Sequence, residues 1–302
     1  MPKIMRQNKH VINLDGRHKV ITLNNKMVID KYNRRAKKIN SLLCVGLDSD
    51  FNKIPKRFLK KKFPQFEFNK WIIGETHNFA AAIKCNSAFY EARGDKGMVE
   101  LKKTTEYLRK NYPDIFLIGD CKRADIGNTN QGYVDSFFDY FGFDAVTLHP
   151  YLGKEALLPF LDRKDKGSII LCRTSNSGAR EFQDLIVQNV QHRMLHKAKP
   201  LWQIVAERVS KNWNKNNNCM LVVGATGPKE MKILRALVGD MIFLVPGIGA
   251  QGGDLKAVLK VGLNSAGLGL IINSSRGIIF SDNPKIEAKK LRDEIIKYKA
   301  IS

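Results

Sequence analysis

The chain has 302 residues, of which 43% are hydrophobic and 26% are charged, values that are ordinary for a folded globular protein. This composition excludes a disordered chain, a collagen-like repeat and a disulfide-rich miniprotein. The charge is unusual, since 51 Lys and Arg residues against 29 Asp and Glu residues give a formal net charge of +22. Such an excess is typical of nucleic-acid-binding proteins, and it also occurs in proteins from lysine-rich proteomes.

The sequence predicts neither a membrane anchor nor a disulfide framework. No stretch approaches the roughly 20 apolar residues that span a bilayer, and the N-terminus lacks the continuous apolar run of a secretory signal. The five cysteines are odd in number, widely spaced and set in or beside apolar runs, which favours a reduced, cytoplasmic protein. Neither they nor the six histidines show the spacing of metal ligands, so no metal site is expected.

The first part of the chain is basic and precedes any regular pattern. Between Met1 and Lys38 there are eleven Lys or Arg residues and two Asp residues, and 11 − 2 gives a net charge of +9. We therefore predict that residues 1–26 form a basic N-terminal extension and that residues 27–302 form one folded domain. A second irregular piece is predicted from Arg180 to Pro200.

Eight short apolar runs follow, and amphipathic segments separate them. The runs are rich in Val, Ile and Leu, as expected of strands that are buried on both faces of a parallel sheet. The predicted strands are Leu42–Leu47, Ala80–Cys85, Ile115–Gly119, Ala145–Leu148, Ser168–Cys172, Met220–Val223, Ile242–Val245 and Leu268–Ile272, and the clearest helices are Gly97–Tyr112, Trp202–Asn214, Pro228–Val238 and Asp254–Val261. Eight strands that alternate with helices predict an α/β fold with a single (β/α)8 TIM barrel, and an open, doubly wound sheet is the alternative.

In such a barrel, active residues lie at the carboxyl ends of the strands, and charged residues recur at these ends in this chain. Asp120 and Lys122 are two residues apart, so on a strand their side chains point to the same side. With Lys84 and Asp125 they would form an alternating set of two lysines and two aspartates, in which every member stays ionised beside an opposite charge. The alternative interpretation is a salt-bridge network that only closes the end of the barrel.

Two glycine-bearing segments follow the seventh and eighth predicted strands, where such barrels often bind phosphate. PGIGAQGG begins at Pro246 and contains Gln251, and NSSRG begins at Asn273 and contains Arg276. Glycines let backbone N–H groups approach phosphate oxygens, and a guanidinium binds phosphate with two hydrogen bonds. We expect a phosphate site here. The alternative is that the glycines only form tight turns and that Arg276 pairs with a surface acid.

The run DCKRADIGNT, which begins at Asp120, resembles the DxKxxDI motif of the orotidine 5′-phosphate decarboxylase family. The similarity covers nearly the whole barrel, and the segments CVGLD, HPYLG, LCRTSNSG with EFQDL, VVGATGP and FLVPGIGAQGGDL resemble the group found in many bacteria. Metal-dependent barrels that act on sugar phosphates share the DxKxxD pattern alone. Its combination with Lys84, the RTSN segment, Gln251 and Arg276 is far more specific.

The resemblance implies that CO2 is removed from orotidine 5′-monophosphate (OMP) to give UMP, without metal or cofactor, through a carbanion at C6 of the pyrimidine. It implies that Asp120 lies beside the substrate carboxylate, that Lys122 stabilises and protonates the carbanion, and that Lys84 holds Asp120 and contacts the ribose. Family members are homodimers, and the resemblance implies that Asp125 serves the site of the other subunit. It implies further substrate contacts from Asp48 and Asn86 near Lys84, Ile126 and Thr129 in the other subunit's site, Ser175 and Pro246 at the pyrimidine, and Gln251 and Arg276 at the phosphate.

Three rival functions stay open. The net charge suggests a nucleic-acid binder, but we expect no nucleic-acid partner because no binding motif or interleaved aromatic residues accompany the lysines. A Mg²⁺-dependent lyase or aldolase that acts on a sugar phosphate would share the fold. An aldolase that forms a Schiff base through Lys84 or Lys122 is disfavoured, since a lysine between carboxylates stays protonated and is not a nucleophile.

Overall fold

The computed structural model describes residues 28–188, 198–248 and 252–301. Its strands are β1 (Leu43–Gly46), β2 (Ala82–Asn86), β3 (Phe116–Arg123), β4 (Ala145–Leu148), β5 (Gly167–Arg173), β6 (Ile186–Val187), β7 (Lys199–Pro200), β8 (Cys219–Val223), β9 (Phe243–Val245) and β10 (Leu270–Ser274). All except β6 and β7 form a closed parallel barrel in which each strand pairs with the next along the chain. The predicted (β/α)8 barrel is confirmed, and the open sheet is wrong because β10 pairs with β1.

Helices surround the barrel and connect its strands. They are α1 (Val28–Lys38), α2 (Lys56–Leu59), α3 (Pro64–Thr76), α4 (Ala88–Glu91), α5 (Gly94–Asn111), α6 (Gly127–Val134), α7 (Gly153–Leu161), α8 (Arg180–Gln183), α9 (Leu201–Arg208), α10 (Pro228–Val238), α11 (Leu255–Gly262), α12 (Arg276–Ile279) and α13 (Pro284–Lys299). One π-helical segment, Asp135–Tyr140, continues α6, and another, Val209–Trp213, continues α9. Within the described ranges, no helix combines the length and the apolar character that a membrane crossing requires.

The predicted elements agree well with these bounds. α10 and β4 begin and end as predicted, and six of the other barrel strands differ by one or two residues at an end. β3 is the exception, because it continues to Arg123 where Gly119 was the predicted end. The segment Arg180–Pro200 was predicted to be irregular, but its described residues, 180–188 and 198–200, contain α8 and the strands β6 and β7, which pair antiparallel. The prediction was wrong for these elements, because a one-turn helix and two-residue strands are too short to show periodicity.

The barrel strands supply the core. Every residue of β1, β4, β8, β9 and β10 is buried, so these strands pack against side chains both inside and outside the barrel. All five cysteines are buried free thiols. Burial raises the pKa of these thiols, to about 12 for Cys85, Cys121, Cys172 and Cys219. Because thiols that stay protonated are poor nucleophiles, they act as small apolar residues of the core.

Helix α1 covers the amino end of the barrel. Its fully buried Tyr32 donates a hydrogen bond to the backbone carbonyl of Leu270, at the start of β10. Lys31 pairs with Asp144, just before β4, at 2.8 Å. Five of the eleven basic residues counted up to Lys38 lie on this helix, so part of that charge belongs to the barrel. The predicted extension, residues 1–26, lies outside the described residues, and the division at residue 26 stays a prediction.

Candidate active site

A cavity of about 460 Å³ opens at the carboxyl end of the barrel. Parallel strands bring all their carboxyl ends to one rim, so residues far apart in the sequence meet there. Leu171, Val222 and Leu244 give the cavity an apolar wall. The predicted site residues that line it are Asp48, Lys84, Asn86, Asp120, Lys122, Ser175, Pro246 and Arg276.

Lys84 is a buried ammonium held between two carboxylates. Its Nζ lies 2.8 Å from Asp120 Oδ2 and 3.2 Å from Asp48 Oδ1, and its side chain is 4% exposed. Burial lowers the pKa of Lys84, but the attraction of the two carboxylates is greater and holds this pKa well above its ordinary value. Lys84 therefore stays charged, which argues against its use as a Schiff-base nucleophile.

Asp120 stands between two ammonium groups. Lys84 occupies its Oδ2, and Lys122 Nζ lies 2.6 Å from its Oδ1. Burial raises the pKa of Asp120, but Lys84 and Lys122 together outweigh burial and hold this pKa well below its ordinary value. The side chain of Lys122 is 51% exposed, so the cavity presents a fixed carboxylate beside an ammonium that a ligand can reach.

The backbone that carries this pair is not a regular strand. The pairing of β3 with β4 passes from Gly119–Val146 to Arg123–Leu148, so residues 120–122 lie opposite a single residue of β4. Lys122 has a φ of +46°, a left-handed conformation that costs a non-glycine residue roughly 1–2 kcal/mol. Bulges of this kind redirect side chains beside active sites. The side chains of Asp120 and Lys122 meet as predicted, but a bulge and not simple alternation brings them together.

Two polar residues of the cavity were missed in the sequence. Thr147, in the buried strand β4, donates to Asp120 Oδ1 at 2.9 Å and accepts from the backbone N–H of Lys122 at 2.9 Å. Gln183 accepts from the backbone N–H of Thr174 at 2.9 Å and donates to its hydroxyl at 2.8 Å. Threonine is common in buried strands, so nothing in the sequence marked Thr147. Gln183 lies in EFQDL, a segment noted only for its similarity.

A glycine on the neighbouring strand end places Ser175. A Cβ added to Gly224 would lie 2.8 Å from Ser175 Cβ and 2.9 Å from the Ser175 backbone nitrogen, closer than real Cβ contacts allow. The absence of a side chain therefore lets the end of β5 approach the end of β8 and keeps Ser175 on the cavity wall. Pro246, which follows β9, lines the same cavity.

The expected phosphate site lies at the rim formed after β9 and β10. Arg276, the first residue of α12, is exposed and lines the cavity together with Gly247 and Ser275. Gly247 has a φ of +104°, which glycine adopts freely. None of the ion pairs formed within the described ranges involves Arg276, so the alternative that it pairs with a surface acid finds no support. Gln251 lies outside the described residues.

Three predicted residues do not line the cavity of their own chain. Asp125 is half-buried and accepts the backbone N–H of Ile126 at 2.7 Å. Ile126 is 61% exposed, and Thr129 is exposed as well. Within one chain, the second carboxylate beside Lys84, after that of Asp120, belongs to Asp48 and not to Asp125. The role of these three residues in another subunit's site stays a prediction.

The chain is similar to known proteins over most of its length. A family model described as Orotidine 5′-phosphate decarboxylase / HUMPS family matches residues 41–291. Relatives named orotidine 5′-phosphate decarboxylase from Flavobacterium johnsoniae and Cellvibrio japonicus are each 46% identical, over 257 and 246 residues, which are 85% and 81% of this chain and 90% and 86% of the relatives. A solved structure of Leishmania donovani OMP decarboxylase has a TM-score of 0.79 and 38% identity, and the match covers 91% of this chain and 99% of that one. The chain belongs to the orotidine 5′-phosphate decarboxylase / HUMPS family.

Proposed function

We propose that this protein is an orotidine 5′-phosphate decarboxylase that converts OMP to UMP and CO2. The observation that carries the proposal is the fixed Asp120–Lys122 pair inside a cavity whose rim holds Arg276. OMP has a phosphate at one end and a carboxylate on its pyrimidine ring, and the cavity offers a cation to each. The names and the 46% identity of the relatives support the same activity.

In the proposed complex, Arg276 binds the phosphate, and Ser175 and Pro246 contact the pyrimidine. The C6 substituent then lies at the Asp120–Lys122 pair. The C6–carboxylate bond breaks, CO2 leaves, and the electron pair remains on C6. The ammonium of Lys122 stabilises this carbanion and transfers a proton to C6, which gives UMP, and Lys122 regains a proton from water.

Lys84, Asp48 and Asn86 have supporting roles in this proposal. An ammonium has three N–H donors, and Lys84 directs two of them at Asp120 and Asp48. No further acceptor engages Lys84 among the residues that the structure describes, so the third is available for a ribose hydroxyl, and Asp48 and Asn86 line the cavity beside it. Because Lys84 keeps Asp120 ionised, it also keeps the acceptor that holds the ammonium of Lys122 in position.

We also propose that two copies form a homodimer with shared sites, in which Asp125, Ile126 and Thr129 of one copy complete the cavity of the other. Supporting this, Ile126, Tyr151 and Leu152 follow the neighbouring strands β3 and β4 at the same end of the barrel and are 61%, 88% and 43% exposed. Exposed apolar side chains grouped beside a site are typical of a surface that another protein covers.

Mixing two inactive variants tests the shared sites. Lys122→Met and Asp125→Ala homodimers are each expected to be inactive. If the sites are shared, subunit exchange gives each mixed dimer one intact site, so an equal mixture recovers about a quarter of the wild-type rate. No recovery, despite mixed dimers shown by mass spectrometry, would contradict sharing.

The decisive test of the activity is a spectrophotometric assay of OMP conversion to UMP in the presence of EDTA. In the described part of the chain, no three His, Cys, Asp or Glu side chains are arranged to hold a metal ion, and ammonium groups engage both Asp48 and Asp120. We therefore expect turnover that EDTA does not change. Turnover that stops in EDTA and returns with Mg²⁺ would favour the metal-dependent rival, and substrate trapping by borohydride would favour the Schiff-base rival.

We further propose a cytoplasmic location. The five free, buried cysteines support it, because oxidising compartments favour disulfides. The absence of a nucleic-acid partner stays a prediction. Binding to nucleic acid that falls steeply with added salt would contradict it.

A further inference from the structure

We propose that Thr147 is a positioning residue that holds Asp120 and Lys122 in their reactive arrangement. The inference rests on the proposed function, since it concerns the same pair of residues. Thr147 lies on β4, is 1% exposed and lines the cavity. It touches both members of the pair, although the sequence offers no motif that marks it.

The first argument is topological. Asp120, Cys121 and Lys122 form the bulge of β3, and Thr147 is the one residue of β4 between the pairings that flank this bulge. All three bulge residues bond to it. Its hydroxyl contacts Asp120 and Lys122, and its backbone carbonyl accepts the thiol of Cys121 at 3.5 Å. Thr147 therefore bonds to every residue of the stretch where the regular pairing of β3 with β4 is interrupted.

The second argument is the direction of the two hydroxyl bonds. A hydroxyl has a single hydrogen, and carboxylate oxygens of an ionised Asp accept only, so the Thr147 hydrogen points at Asp120 Oδ1. The backbone N–H of Lys122 donates to the same oxygen of Thr147. One hydroxyl thus links the carboxylate to the backbone of the lysine. The Nζ of Lys122 donates a hydrogen bond to the same Oδ1 of Asp120, which closes a small ring of hydrogen bonds.

The third argument is conformational. Lys122 has a left-handed backbone conformation, which residues other than glycine rarely adopt. This conformation persists only when the surroundings enforce it. The bond from its N–H to Thr147 acts directly on that backbone. Without the hydroxyl, the part-buried N–H of Lys122 would lose this acceptor and Asp120 Oδ1 would lose a donor. We expect Lys122 then to leave its conformation and its ammonium to move away from Asp120.

Thr147→Val tests the inference, because valine has nearly the shape of threonine without the hydroxyl. We expect kcat for OMP to fall roughly 10- to 100-fold, the equivalent of one lost hydrogen bond to a charged group. The dissociation constant for UMP should change less than about twofold, because neither Ser175 nor Arg276 is affected. Thr147→Ser, which restores the hydroxyl, should recover most of kcat. Thr76→Val is the matched control, since Thr76 is a fully buried threonine of α3 whose hydroxyl bonds the carbonyl of Ile72 away from the cavity.

A crystal structure of Thr147→Val gives a readout that does not depend on activity. We expect Lys122 Nζ to lie beyond hydrogen-bond distance of Asp120, and the Thr147→Ser structure to keep that bond. An unchanged Lys122 together with an unchanged kcat would overturn the inference, as would equal losses in Thr147→Val and Thr147→Ser, which would indicate packing. If wild-type protein does not decarboxylate OMP but Lys122 still moves in Thr147→Val, the proposed function fails while the positioning of Lys122 by Thr147 stands.

Discussion

The two lysines of the cavity differ in burial, and this difference predicts different effects on stability and on turnover. The side chain of Lys122 is 51% exposed, whereas that of Lys84 is 4% exposed. Replacing each with methionine removes the charge and keeps an unbranched side chain of similar length. Both variants should lose activity, but only Lys84→Met should also lose much of the stability of the fold.

The structure sets the expected magnitudes. An ion pair exposed on one side contributes about 0.2–1 kcal/mol, so Lys122→Met should lower the free energy of unfolding by less than about 1 kcal/mol. Lys84→Met leaves Asp120 and Asp48 without the ammonium between them, and breaking a buried pair costs about 3–5 kcal/mol. Asp120 keeps its bonds to Lys122 and Thr147, which places the cost near the lower value. The melting temperature should then fall by on the order of 10 °C.

Turnover should respond differently. Removal of one preorganised charge that faces a developing negative charge costs about 3–4 kcal/mol of transition-state stabilisation, or roughly 10²- to 10³-fold in kcat. Lys122→Met also lacks the proposed proton donor, so its kcat should fall further than this.

Calorimetric melting at neutral pH, the OMP decarboxylation assay and a UMP titration measure the three quantities. UMP should still bind Lys122→Met, because the phosphate and pyrimidine contacts remain. A Lys122→Met protein that keeps near wild-type turnover would refute the mechanism. A Lys122→Met melting temperature as low as that of Lys84→Met would refute the assignment of stability to burial.

Three further predictions concern pH, a glycine and a buried tyrosine. The lowered pKa of Asp120 stabilises the fold above the ordinary pKa of an aspartate, about 4, and this stabilisation is lost as the pH falls towards the pKa of the folded state. The raised pKa of Lys84 stabilises the fold below about 10.4, and this stabilisation is lost as the pH rises towards the pKa of the folded state. The melting temperature should therefore show neither loss between about pH 5 and 9. Gly224→Ala should displace Ser175, and we expect KM for OMP to rise roughly tenfold while α-helix and sheet content by circular dichroism stays unchanged. Tyr32→Phe removes the hydrogen bond from α1 to β10 and should lower the free energy of unfolding by about 1–2 kcal/mol with kcat unchanged, as denaturant titration and the OMP assay would show.

The sequence predicts the barrel and its rim because both depend on simple periodicities. Short apolar runs mark strands buried on both faces, and β4 was predicted to the residue. Since parallel strands bring their carboxyl ends together, the charged residues that end those runs were expected in one place. Asp48, Lys84, Asp120 and Lys122 do line one cavity.

Features that depend on tertiary contacts were missed. The bulge in β3 adds residues opposite Thr147, and no local pattern signals where a ladder of hydrogen bonds will be interrupted. From the residues alone, Asp125 was proposed beside Asp120, Lys122 and Lys84, whereas Asp48, which contacts Lys84, was expected nearby only through the family resemblance. Helix α1 was not predicted, although its sequence has a helical pattern. Val28, Tyr32 and Ala36 follow one another at intervals of four residues, and all three are buried.

The buried cysteines have a practical consequence for labelling the protein. Reagents that modify thiolates should not react with any of the five native thiols, because burial keeps these thiols both inaccessible and protonated. A single cysteine introduced by Tyr151→Cys, at a position that is 88% exposed beside the cavity, would then react alone in an otherwise wild-type background. A fluorophore or spin label attached there would report directly whether a second copy of the chain covers that surface.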